Sequence, residues 1–178
     1  VVSSQSLSLA DRRIVAAWAA DCAARVLPLF EAEAPDDSTP REAIARAEGF
    51  ARGERPAAEE IRIRFVAGRA AAAVSSPAAV AAARSAAQAA AVAHMGAHAL
   101  GAAAYAVKAV TLAPDAGPDA AEDEIRWQLA HLDDGTRAAL ARLPLLGEDP
   151  AGPLGTGLLT TGVLGSTIRT IQARVSDG

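Results

Sequence analysis

The chain has 178 residues, of which 51% are hydrophobic and only 3% aromatic, so one domain is expected, with a core of Ala, Val, Leu and Ile. A formal net charge of -4 and a pI near 5.4 argue against a dedicated nucleic-acid binder, which carries a basic face. One cysteine, Cys22, excludes an internal disulfide, and charged or polar residues interrupt every apolar run before it reaches membrane-spanning length. The stretch VVSSQSLSLADRR lacks the pattern of a secretory leader, so no membrane partner and a cytoplasmic location are expected.

Asp11 is placed to cap a first helix whose Ile14, Val15, Trp18, Cys22, Val26, Leu29 and Phe30 share one face. Pro28 sits near its end and removes one backbone donor. Thr39-Pro40-Arg41-Glu42 then reads as a capping box, with proline at the first helical position. That second helix ends near Ala51, where Gly53 suits a left-handed terminus. Ile61 to Phe65 alternates like a strand, but its alanine- and glutamate-rich flanks favour a third helix from Pro56 towards Val74.

Ser76-Pro77 opens the next helix. From there to Leu112 only Gly96 and Gly101 interrupt the pattern, which allows one long helix or a pair broken near a glycine. Another helix follows from Pro118 to Leu132. Asp133-Asp134-Gly135 reads as a turn, with Thr136 capping a short helix that ends before Pro144. Residues 147–165 are rich in Gly, Pro and Thr and read as a loop or mobile segment, with a last short helix carrying Ile168, Ile171 and Val175. The fold class is all-α: a single-domain bundle or orthogonal array of about six to seven helices.

His94, His98 and Tyr105 fall within about 40° of one another on a continuous helical wheel. The small residues beside them leave room. Three readings stay open: a polar helix face, a ligand pocket, or a metal site. A histidine pair at this spacing needs further ligands to hold zinc. Met95 stands where a zinc protease carries its glutamate, so no metal is assigned. Gly152, Gly155, Gly157 and Gly162 match no nucleotide fingerprint, so no cofactor is assigned either. Cys22 reads as a small core residue, and no catalytic set is apparent.

Two acidic groups stand out: Glu31, Glu33, Asp36 and Asp37, then Asp115, Asp119, Glu122, Asp123 and Glu124. They read either as solvated faces or as a docking surface for a basic partner. Arg52, Arg55, Arg62, Arg64 and Arg69 form a basic stretch between them.

Two blocks carry a family resemblance. The first is Trp18-Ala19-Ala20-Asp21-Cys22 through Pro28-Leu29-Phe30-Glu31, continuing over Pro35-Asp36-Asp37 and Pro40-Arg41-Glu42-Ala43-Ile44 to Arg52-Gly53. The second is Gln88 to Lys108, followed by Trp127-Gln128-Leu129. Together they resemble bacterial immunity proteins with the immunity-protein-5-like helical domain. The resemblance implies an all-helical, non-enzymatic cytoplasmic protein that binds and neutralises a toxin. It implies no catalytic residues, and it leaves out the glycine-rich tail. Asp37 and Arg41 read as an ion pair pinning the capped loop. The alternatives are a small-molecule or metal binder using His94, His98 and Tyr105, and a homo-oligomer formed by helix faces.

Overall fold

The computed structural model describes residues 3–177, without the Arg64 side chain. Eight α-helices are present among them: α1 (Leu9–Glu31), α2 (Thr39–Ala51), α3 (Ala57–Gly68), α4 (Pro77–Ala91), α5 (His98–Thr111), α6 (Ala120–Ala130), α7 (Asp134–Ala141) and α8 (Gly162–Ser176). No strand occurs among the described residues, and no helix there is long and apolar enough to cross a membrane. The helix count exceeds the expected six to seven because the stretch from Pro77 to Leu112 is divided into α4 and α5.

Local capping explains most boundaries. Ser8, not Asp11, caps α1, its hydroxyl accepting from the Asp11 amide at 3.0 Å. This leaves the Asp11 carboxylate to pair with Arg142 at 2.9 Å. α1 continues through Pro28, whose carbonyl still accepts from the Ala32 amide. The capping box of α2 does not form as expected. Asp37 takes the Thr39 amide at 2.9 Å, and the Ser38 hydroxyl donates to Glu42 at 2.6 Å. An aspartate two residues ahead offers that amide a local turn, which outcompetes the threonine cap. Gly53 does end α2, with φ of 78° and the Glu54 amide bonded back to Gly49. Asp133 rather than Thr136 caps α7, accepting from the Thr136 amide at 2.6 Å.

The break between α4 and α5 has a long-range cause. The amides of Gly96 and Ala97 donate to the carbonyls of Ser6 and Gln5 at 3.1 and 3.0 Å. A Cβ at Gly96 would lie 2.5 Å from Leu7 Cδ1, so only glycine lets the N-terminal segment approach this closely. Leu7 itself is held at φ of 60° and ψ of 167°, a costly conformation that this packing over-determines.

α5 is the hub of the fold. It packs on α1, α4, α6 and α8, and its residues are buried on every side from Ala99 through Val107. Its alanines and Gly101 allow close helix approach, so backbone and small side chains replace bulky core residues. Buried Ser85 of α4 donates to the Ala102 carbonyl of α5 at 2.8 Å, which satisfies its hydroxyl inside this contact. The heavier residues Trp18, Phe30, Phe50, Leu100 and Ile168 join the same core cluster, which draws side chains from all eight helices.

The glycine-rich segment is tied to the N-terminus. Gln5 is fully buried; its amide donates to the Asp149 carbonyl at 2.8 Å and accepts from the Leu154 amide at 2.9 Å. Leu154 is buried with it. α8 starts at Gly162, inside the end of the segment 147–165 read as loop, with Gly162 at φ of 55° turning the chain into helix.

Candidate functional site

The histidine stripe does not survive the helix break. His94 lies in the turn between α4 and α5, and His98 is the first residue of α5. Their ring centroids are 6.4 Å apart. Both are half-buried. The His98 ring nitrogen Nδ1 bonds to Gln88 Oε1 at 2.8 Å, while the His94 carbonyl accepts from Arg12. Tyr105, only 4% exposed, belongs to the core; its hydroxyl meets Arg84 Nη1 at 3.5 Å. α5 is buried on every side from Ala99 through Val107, so Tyr105 lies on no polar helix face. The room expected beside Gly101 is filled by Gln88, whose Oε1 would lie 2.3 Å from a Cβ there. No three His, Cys, Asp or Glu side chains among the described residues are grouped to hold a metal ion.

Most of the first acidic group is engaged in closing loops. Glu31 pairs with Arg41, whose Nε donates at 2.8 Å, so the expected Asp37–Arg41 pair is replaced. Glu33 accepts from the amides of Ser75 and Ser76 at 2.6 and 3.0 Å and from the Ser75 hydroxyl, tying α1 to the start of α4. The Ser75 amide holds the Glu33 carboxyl below its ordinary range. Thr39, by hydroxyl and amide, does the same to Asp37. Asp36 is exposed.

The second group divides. Glu122 and Asp123 face outward, but Glu124 is 3% exposed and does not belong to a docking surface. Successive helical residues point about 100° apart, and Glu124 turns inward to α1. There both its oxygens accept from Arg25 Nε, at 3.1 and 3.0 Å. The Arg25 guanidinium carbon lies 4.0 Å from the Trp127 ring centroid, and the His131 ring stacks on Trp127 at 3.9 Å. Two groups at that distance need opposite faces, so Trp127 is sandwiched between Arg25 and His131. Burial pushes the Cys22 thiol well up, and the neighbouring Glu124 and Asp21 push it further, which suits a core residue rather than a nucleophile.

Of several concave features among the described residues, two stand apart in their lining. One is a cleft of about 180 Å³ between α2 and α3, where Arg46 donates to buried Glu60 at 3.0 and 3.1 Å. The other is an open groove of about 500 Å³ where the ends of α1 and α5 meet the start of α6. Its floor is Pro28, Leu29, Val110 and Ala113; Asp115, Asp119 and Asp123 line it with carboxylates. Sequence reading found those aspartates but not the apolar floor, because Pro28 and Leu29 reach it from a helix some ninety residues earlier.

A family model described as "Imm-5 like putative immunity protein" matches residues 5–135, most of the chain. The chain belongs to this family. No curated protein and no solved structure matches it.

Within this immunity-family domain, the matched span runs from buried Gln5 to the first turn of α7. Both concave features fall inside it, as do the Trp127 sandwich and the α4–α5 break. The glycine-rich segment and α8 lie beyond it. They still complete the immunity-family core, since Leu154, Ile168 and Ile171 are fully buried.

Proposed function

We propose that this chain is an immunity protein that neutralises a toxin by binding it directly, in the cytoplasm and without catalysis of its own. The family match over residues 5–135 is the observation that carries this reading. Two physical features support it. The chain carries a formal net charge of -4, which speeds association with a basic partner such as a nuclease-type toxin. The core cluster draws on every helix, so the fold offers a preorganised surface, and binding to it costs little ordering entropy.

The test is co-expression with toxin candidates encoded beside this chain. The expected result is rescue of growth together with a stable complex on size exclusion. Absence of both rescue and complex with every adjacent candidate counts against the reading. A stable homo-oligomer that binds none of them would favour self-association instead.

A further inference from the structure

We infer that the groove between α1, α5 and α6 is the face that receives the partner, and that its occupant is a basic segment of that partner. A Lys or Arg side chain would lay its aliphatic stem on Pro28, Leu29 and Ala113 and end its cation among Asp115, Asp119 and Asp123. This rests on the toxin-binding reading above.

Three observations single out this groove. First, three of the four carboxylates of the other acidic group, all but exposed Asp36, are spent inside the molecule. Glu31 holds Arg41, Glu33 holds Ser75 and Ser76, and Asp37 holds Thr39. Second, the groove's own carboxylates are not tied up in this way. Asp119 occupies the N-cap position of α6 yet makes no capping bond, whereas Asp133 in the same position of α7 does. Asp123 holds only Arg126, at 2.7 Å, in a pair whose two side chains are mostly exposed and which an incoming cation can displace. Third, the one basic side chain in the lining does not cancel this charge. Arg25 is already neutralised by buried Glu124 and stacked on Trp127. The result is an apolar floor under a negative rim, the surface that a long cationic side chain complements with both of its parts.

The α2–α3 cleft lacks this quality, since its Arg46 and Glu60 satisfy each other, its Glu42 is held by Ser38, and Ile63, Val66 and Ala67 beside them carry no charge.

The experiment uses the full chain with two probes. The first is the toxin that wild-type protein rescues. The variant Asp115→Asn/Asp119→Asn/Asp123→Asn should bind it at least tenfold more weakly at low salt, mainly through a slower association rate, and its affinity should lose most of its salt dependence. The control Glu31→Gln/Asp36→Asn should bind nearly as wild type does. Equal binding by the groove variant overturns the groove while leaving the immunity reading intact. The second probe needs no toxin: a decalysine peptide titrated into isotope-labelled protein. Chemical-shift changes confined to the groove, absent with decaglutamate and lost in the groove variant, support the proposal even if no toxin is found. Changes spread over all acidic surfaces, or reproduced by calcium chloride alone, overturn it. The substituted aspartates are exposed, so the variant's unchanged circular dichroism and melting temperature verify that it folds.

Discussion

Gln88 occupies the space that a side chain at Gly101 would need, 2.3 Å from the position of its Cβ, while holding the His98 ring at 2.8 Å. That relationship separates three helical glycines that propensity alone would treat alike. Alanine at each should gain up to about 1 kcal/mol of helix stability. At Gly101 the obstructing atom is the far end of a flexible side chain. Gly101→Ala should therefore displace Gln88, lose its bond worth about 1 kcal/mol, and come out near neutral. At Gly165 the obstruction is backbone: the Thr160 carbonyl oxygen would lie at 2.2 Å and its carbon at 2.5 Å. Gly165→Ala should destabilise by about 1–3 kcal/mol. Gly68 has nothing within 4 Å and helical backbone angles, so Gly68→Ala should stabilise by about 0.4–1 kcal/mol. Urea midpoints rank the three; a stabilised Gly165→Ala would refute the packing argument.

Arg25 and Glu124 present a different case, a charge pair with one buried member. Arg25 is 39% exposed and Glu124 only 3%. Removing the arginine strands the carboxylate and also uncovers one face of Trp127. Arg25→Ala should cost about 2–4 kcal/mol, somewhat below a fully buried pair. Glu124→Gln should cost less, because a neutral amide in that site carries no stranded charge and can still meet Gln128. The double variant should recover part of the Arg25→Ala loss. Denaturation of all three closes the cycle, and simple additivity would mean the pair is not coupled.

Gln5 joins two segments of the chain that lie almost 150 residues apart. Gln5→Ala removes the donor to the Asp149 carbonyl and leaves the buried Leu154 amide without its acceptor. The expected loss is about 2–3 kcal/mol, one bond plus one stranded donor. Hydrogen exchange gives the sharper reading: the Leu154 and Gly147 amides should lose protection before those of α5. Uniform loss across the molecule would show that this anchor unfolds only with the core.

These examples show what was legible in the sequence. Ser76-Pro77 and Gly53 mark their helix ends because a cap or a left-handed glycine acts within a few residues, and the all-helical class follows from the same local signals. The sequence left 77–112 open between one long helix and a pair broken near a glycine; the choice depends on the carbonyls of Gln5 and Ser6 reaching Gly96 and Ala97 from ninety residues away. The histidine stripe failed with it, because a wheel is valid only along an unbroken helix. Glu124 was read as surface because a charged residue among acids usually is; only the approach of Arg25 makes its burial tolerable. The groove's carboxylates were visible and its floor was not, for the same reason of distance.

The acid limb of stability follows from carboxylates that accept backbone amides. Thr136, through its amide, holds the Asp133 carboxyl below the ordinary value of 3.8, and the Ala151 amide does the same for Asp149. Glu33 and Asp37 are lowered likewise. A carboxyl whose folded pKa is depressed binds its proton more weakly in the native state. Its contribution is therefore present above the unfolded pKa and is lost as pH falls through the folded one. Asp21 has the opposite sign: burial raises it, against the pull of His131, so its contribution is lost as pH rises above 3.8. Melting temperature should accordingly fall steeply below about pH 4, where these carboxyls take up protons. Asp133→Asn keeps a capping oxygen but cannot titrate, so it should differ from wild type at pH 6 and converge on it near pH 2 to 3. Asp21→Asn should make the limb steeper, because the opposing group is gone. Melting curves from pH 2 to pH 7 check both, and an Asp133→Asn profile parallel to wild type throughout would mean that the cap does not titrate in this window.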